Sequence, residues 1–332
     1  MPTRPAIPTT ILVAPDSFKG TYTALEVTAA IAAGLEAAGR PVDARPVADG
    51  GEGTLAVLTG ELGGELLETE VHDPLGRPIE ATFALTDGGT RAIVETASAS
   101  GLGLVAAAER DPIAASTRGT GELIVAAVEA GARTVLLGVG GSATTDGGAG
   151  AIAAIRDVGG LGPARLTVLC DVQTPFEDAA RVYSPQKGAD RDAVRRLTRR
   201  LNDQARRLPR DPRGVAMTGA AGGLSGGLWA AFGAELVPGA AFVLDTLKFD
   251  PRMRAARAVV TGEGCLDRQS LAGKAVSEVA TRARQAGVPC HAIVGTRRLD
   301  PFGARILDLQ AILEATTLEQ IEAAGAELAR LL

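Results

Sequence analysis

The chain has 332 residues, 46% of them hydrophobic and 22% charged, with a net charge of −5, so it has apolar material for packed cores and the size of about two domains. The acidic balance argues against a nucleic-acid or membrane-surface partner, since either needs a basic face. Two histidines and three scattered cysteines leave little basis for histidine catalysis, a CxxC zinc site or a disulfide framework.

What remains is small-molecule chemistry carried by carboxylates and lysines. A cytoplasmic location is expected, because the N-terminal segment lacks a signal peptide's apolar core and no run approaches the ~20 apolar residues of a membrane span.

In chain order, the apolar run Ile11 to Ala14 predicts a strand. The following TALEVTAAIAAGLEAAG predicts a helix burying Leu25, Val27, Ile31 and Leu35. A second strand around VDARPV leads through ADGGEG into a helix over TLAVLTGEL. Near the other end AVVTGEG, the helical KAVSEVATRARQAG and the apolar CHAIVG repeat this β-loop-α grammar, so both chain ends are expected to build one parallel sheet covered by helices.

The middle reads differently. VHDPLGRPIEATFAL and TRAIVETAS, separated by DGG, predict an antiparallel hairpin opening a second domain near residue 70. A helix over GELIVAAVEAGA, strands TVLLGV and LTVLCD, and an Arg-rich helix from Arg191 to Arg207 follow, with RRLTRR read as a solvated helix face.

The strands share a kind of ending. APDSFKG, VADGGEG, GVGGSATTDGGAG, LCDV and VTGEG each follow an apolar run with glycines, hydroxyls, acids or a mixture. In open α/β sheets ligands bind beyond such ends. Glycines let backbone amides approach a phosphate, and acids hold Mg²⁺ through oxygen. Taken singly, Asp16, Asp49 and Asp171 could each just cap the next helix, and Lys19 and Lys187 could be plain surface lysines. Five such loops together point to metal–phosphate chemistry.

A Walker P-loop at Lys274 is excluded, because Arg268 and Ala275 stand where it needs Gly and Ser or Thr. A nicotinamide-dependent hydroxy-acid dehydrogenase is the competing reading, since GVGGSA fits GxGxxA and Asp171 ends a later strand. Against it, Asp146 lies in the loop that would hold the pyrophosphate and would repel it unless a cation intervened.

APDSFKG at 14–20, ALEVTAAIAAG at 24–34, PVADGGEGT at 46–54, ASASGL at 97–102 and STRGTGELI at 116–124 together resemble the type 1 glycerate kinases. So do GVGGSATTDGGAGA at 138–151, CDVQTPF at 170–176, SPQKGA at 184–189, GAAGGLSGGL at 219–228 and TGEGCLD with GK at 261–274. The resemblance covers nearly the whole chain.

It implies transfer of the ATP γ-phosphoryl group to D-glycerate with Mg²⁺, giving 2-phosphoglycerate, with a 3-phosphoglycerate product as the alternative. The fold class implied is α/β with two unlike domains. One is a flavodoxin/Rossmann-like parallel sheet from residues 1–70 and 256–332, the other an inserted mixed α/β domain over 71–255, with the active site in the cleft between them and the protein a monomer or homodimer.

The chain departs from the family between Gly150 and Leu166 and again after CDV, where it is shorter. A reduced peripheral lobe and an altered approach to Lys187 are expected there.

Read onto these motifs, Lys19, Asp49, Asp146, Asp171 and Lys187 are the catalytic candidates, with Asp146 and Asp171 competing as base. Asp16, Ser17, Lys19, Gly50, Gly51, Glu52 and Ser98 are assigned to the substrate. Gly140, Gly141, Ser142 and Thr144, then Gly222 and Gly223, then Gly262, Glu263, Gly264 and Lys274 are assigned to the nucleotide, and Asp49, Asp171 and Asp267 to the metal. Cys265 in TGEGCLD is read as a buried, inert thiol.

Overall fold

A computed structural model describes residues 9–271 and 273–332. The chain forms two compact units, one from the chain up to Asp49 together with Ala240–Leu332, the other Gly50–Gly239.

The first unit opens with β1 (Ile11–Val13), α1 (Ala24–Ala37) and β2 (Val42–Ala44). The second contains α2 (Thr54–Leu62), β3 (Glu65–His72), β4 (Pro78–Thr86), β5 (Arg91–Glu95), α3 (Thr96–Ser100), α4 (Arg118–Glu129) and β6 (Thr134–Gly138). It continues with α5 (Ala149–Asp157), β7 (Arg165–Leu169), α6 (Ala179–Tyr183), α7 (Arg191–Ala205), α8 (Ala220–Phe232) and β8 (Glu235–Val237). From α9 (Gly239–Thr246) and α10 (Phe249–Ala255) the chain returns to the first unit with β9 (Ala258–Leu266) and α11 (Ala275–Ala286). It ends with β10 (Cys290–Arg297), α12 (Pro301–Leu307), β11 (Leu309–Glu314) and α13 (Leu318–Leu331).

In the first unit the strands lie in the order β11-β10-β9-β1-β2, all parallel. Counted within this unit alone, that is the flavodoxin-like order 2-1-3-4-5, whose direction of winding reverses between β1 and β9. β1 is fully buried, which is why the strand reads as a plain apolar run. Val27, Ile31 and Leu35 of α1 join Ile321 and Leu328 of α13 against Ile11, Val13, Val260 and Ile293.

Leu25 is half exposed and does not belong to this face. It lies two residues from Val27, about 200° around a helix, so the apolar stripe cannot hold both. Thr23 and Glu26 form a reciprocal capping box that starts α1. α1 and α13 touch backbone to backbone, because a Cβ at Gly34 would lie 1.9 Å from the Glu322 carbonyl oxygen.

In the second unit the order is β3-β4-β5-β6-β7-β8, with β3-β4 and β4-β5 antiparallel and the rest parallel. The hairpin expected on either side of DGG is β4-β5. A further strand, β3, precedes it and carries Glu65, Glu68 and Glu70 on a largely exposed edge. Charges on an edge strand keep it from pairing with other chains, and they also hide its period in the sequence.

The chain passes between units at 49/50 and 239/240, where the sequence placed these points at 70/71 and 255/256. α2 packs on β4 and β5, and α10 on α11, so each helix goes with the sheet it covers. Among the described residues, no helix is long and apolar enough to cross a membrane.

Candidate active site

At the β1/β9 reversal the parallel ladder continues past β1, with the Asp16 amide donating to the Gly262 carbonyl at 2.8 Å. This sets Asp16 beside Glu263. Gly264 lacks a side chain where a Cβ would lie 3.1 Å from Phe18 Cα and 3.3 Å from the Lys19 amide nitrogen, so β9 can pass close to the Lys19 turn. Lys19 Nζ reaches Asp49 Oδ2, at the end of the segment after β2, at 2.9 Å. Lys274, at the N-cap of α11, lies 3.4 Å from Glu263 Oε2.

Asp16, Ser17, Lys19, Glu263, Gly264, Asp267 and Lys274 line a pocket of about 280 Å³. Here the structure brings together residues the sequence had assigned separately to substrate, nucleotide and metal.

The charges in this pocket are crowded. Burial and the Asp49 charge push Asp16 up to about 7, against the opposing pull of Lys19. Burial would lower Lys19, but Asp49 and Asp16 outweigh it and hold the ammonium above its ordinary value. Burial also raises Glu263, opposed by Lys274. Glu263 Oε1 is buried without a hydrogen-bond partner.

Asp267 accepts the Gln269 amide at 2.7 Å, an Asx turn that starts the short helical turn Arg268–Leu271. Cys265 is half-buried and lines the pocket, not buried as expected. Thr296, near the end of β10, and Thr316, just past β11, line it too. Thr296 follows Gly295 but no acid adjoins it, and Thr316 adjoins neither a glycine nor an acid that would have marked it in the sequence.

The second unit gathers its candidates on the loops after β5, β6 and β7. Lys187 is buried, and its Nζ donates to Ser142 Oγ at 2.9 Å and to the Thr144 carbonyl. Burial pushes this amine down to about 7, and Asp146 only partly offsets it.

Asp146 itself is buried and saturated with donors. Its Oδ2 accepts from the Thr117 amide and hydroxyl and the Gly150 amide, and its Oδ1 from the Gly148 amide, all at 2.8–3.0 Å. It ties the start of α4 to the start of α5. Asp171 follows β7 beside Cys170, whose thiol is pushed up to about 12 by burial and the Asp171 charge.

Several of the glycines assigned to the nucleotide face protein. A Cβ at Gly222 would sit 2.1 Å from the Thr144 carbonyl oxygen, and one at Gly223 2.8 Å from the Phe176 ring. Gly140 does the same against Gly51, at 2.5 Å, so the Gly50–Glu52 turn and the Gly140–Gly141 loop are pressed together. Ser98 is half-buried within α3.

The GxGxxA match therefore is not a dinucleotide loop, because its glycines serve loop-to-loop contact. The next helix, α5, also begins only at Ala149, not at the loop itself as pyrophosphate binding requires. Glu95, unmarked in the sequence, ends β5 with Oε1 accepting the Leu55 amide at 2.7 Å at the start of α2, and burial raises it to about 7.

A fold of this kind, with acids and lysines converging on its switch point, belongs to the small-molecule phosphotransferase class that the sequence motifs anticipate. The glycerate kinase family model matches residues 11–157 and 159–331, and the chain belongs to that family. It is 39% identical to the glycerate kinase of Bacillus subtilis, covering 86% of this chain and 85% of that one. It is 36% identical to the glycerate 2-kinase of Escherichia coli K12, with the same coverage. A crystal structure from Salmonella typhimurium LT2, provisionally described as glycerate kinase 2, superposes with a TM-score of 0.82 at 32% identity over 98% of each chain.

Proposed function

We propose that the protein is an ATP-dependent glycerate kinase that moves the γ-phosphoryl group of ATP to the hydroxyl of D-glycerate, releasing 2-phosphoglycerate and ADP. The observation that carries this reading is the meeting of Asp16, Lys19, Asp49, Glu263 and Lys274 around one pocket at the sheet's switch point, in a chain of this family. At about 280 Å³ the pocket lies just below the ~300–1,000 Å³ of drug-sized ligand sites, which suits a three-carbon hydroxy acid with a phosphoryl group and not a whole nucleotide.

Phosphoryl transfer needs positioning and charge neutralisation more than covalent chemistry. Lys19, with Ser17, holds the substrate carboxylate or the oxygens of the moving phosphoryl group. Asp16 accepts the hydroxyl proton, and Lys274 with the Gly262–Gly264 backbone faces the ATP phosphates. In the second unit Lys187 supplies a further positive charge beside Ser142 and Thr144. Gly50, Gly51, Glu52, Ser98, Gly140, Gly141 and Asp171 are the remaining binding candidates there.

Magnesium fits the donor chemistry of the first pocket. The Glu263 Oε1 without a partner and the crowded carboxylates suit a hard cation that takes oxygen ligands. Among the described residues no three acids, histidines or cysteines form a ready-made cage, and a magnesium that also binds phosphates needs only one or two carboxylates. Asp49 and Glu263, with Asp267 nearby, would hold it, and when bound it would neutralise phosphate charge. The three free cysteines support a reducing, cytoplasmic setting.

The test is ADP release from ATP and Mg²⁺ with D-glycerate, followed by product analysis, with L-glycerate and NAD(H) as controls. D-glycerate-dependent release giving 2-phosphoglycerate, lost in EDTA and regained on adding Mg²⁺, is the expected result. A 3-phosphoglycerate product would overturn the regiochemistry, and turnover of NAD(H) without ADP release would overturn the kinase.

A further inference from the structure

The segment 191–207, covering α7 and the turn after it, carries seven arginines and two aspartates in a chain of net charge −5. Both aspartates are engaged. Asp192 pairs with Arg195, and Asp203 with Arg206 at 2.8 Å. The remaining basic side chains are not spread evenly around the helix. Arg196, Arg199, Arg200 and Arg207 stand at i, i+3, i+4 and i+11, a single stripe, and line one pocket of about 590 Å³ with Gln204, Ala149 and two engaged carboxylates, Asp203, paired with Arg206, and Asp146, held by four amide and hydroxyl donors. Among the described residues Arg196, Arg199 and Arg207 have no carboxylate partner.

Arg200 forms the floor of this pocket and is held in place. Its Nη1 donates to the Ile113 carbonyl and its Nη2 to the Thr145 carbonyl, each at 2.8 Å. A fixed guanidinium with three unpaired ones around it concentrates positive charge that a merely solvated helix face would pair or disperse. Planar guanidinium forks match phosphate oxygens two at a time, which lysines cannot do.

We propose that this arginine stripe is a binding site for a compact multivalent anion of the phosphate class, either inorganic or carried on a small metabolite. It does not rest on the kinase reading, since none of these arginines belongs to the residues placed in catalysis.

The test is calorimetric titration of the full chain with pyrophosphate and, separately, with phosphoglycerate, at fixed ionic strength, without divalent cations, in the absence and presence of ADP. Saturable binding that persists with ADP is expected. It should weaken at least about tenfold in R199Q/R207Q, which removes two charge-assisted contacts, and stay unchanged in R195Q, whose arginine is already paired. The tighter of the two ligands identifies the source of the phosphate.

Arg199 and Arg207 are exposed, so both variants should melt like the parent and keep kcat/KM for ATP within about twofold, as surface changes usually do. Absence of saturable binding, equal affinity in R199Q/R207Q, or loss of binding on adding ADP would each overturn the proposal, the last by making the stripe part of the nucleotide site.

Discussion

Lys19 and Lys187 are the same residue type set in opposite surroundings. Lys19 has a half-exposed side chain, an aspartate at 2.9 Å and a second one close by, and its ammonium is stabilised. Lys187 is buried, bonded only to neutral oxygens, and pushed down to about 7. The first is a committed cation whose task is to balance negative charge. The second can gain a proton when an anion arrives, because a nearby phosphate favours the charged form that burial disfavours. A charge count over the sequence would treat the two alike, and only their surroundings separate them.

The largest expected effect tests whether both lysines serve the reaction. Lys19→Met should lower kcat/KM for D-glycerate by ~10²–10³-fold, the usual loss when one preorganised charge-stabilising donor is removed, as read by coupled ADP release. Lys187→Met should lower activity as well, but with an unchanged or higher Tm, since replacing a buried charge by an apolar group of similar volume is often neutral or stabilising. A K187M enzyme with full activity would reduce Lys187 to a structural role.

Next in size is Asp146→Asn. Its carboxylate receives four donors from the starts of α4 and α5, so the expected loss is about 1–3 kcal/mol of stability in urea melts, with the folded fraction remaining active. Loss of turnover at unchanged stability would instead restore Asp146 as a base or metal ligand.

How much of this was legible in the sequence depended on whether the signal was local. The parallel sheet was legible, because β1, β9 and β10 are largely buried apolar runs, the first two of which lead into glycine and acid. The set Asp16, Lys19, Asp49, Glu263 and Lys274 was named residue by residue, but its convergence on one pocket was not, since chain order says little about which loops share a sheet edge.

Asp146 was ambiguous in the sequence because an acid in a glycine loop looks the same whether it caps helices or holds a metal, and only the structure shows its four donors. Gly222 and Gly223 were ambiguous for a related reason, as glycines that admit a neighbouring loop match glycines that admit a phosphate. Arg196, Arg199, Arg200 and Arg207 were seen as part of a basic run, while their common pocket depended on the loop that Arg200 anchors.

Slopes of stability with pH are smaller still, and they read the charge states of these groups directly. Asp16 is raised to about 7, so between its ordinary value near 4 and pH 7 the folded chain holds a proton that the unfolded chain has released, and stability falls as pH rises. Glu95, also raised to about 7, adds to that fall.

Lys187, lowered to about 7, works in the next window. Between pH 7 and its ordinary value near 10.4 the unfolded chain holds a proton that the folded chain lacks, so stability rises with pH. Denaturant melts across pH 4–10 should show the acid-side fall reduced in Asp16→Asn with the alkaline rise intact, and the reverse in Lys187→Met. If K187M keeps the alkaline rise, the Lys187 amine is already protonated in the folded protein at neutral pH, and the two lysines do not differ in charge state.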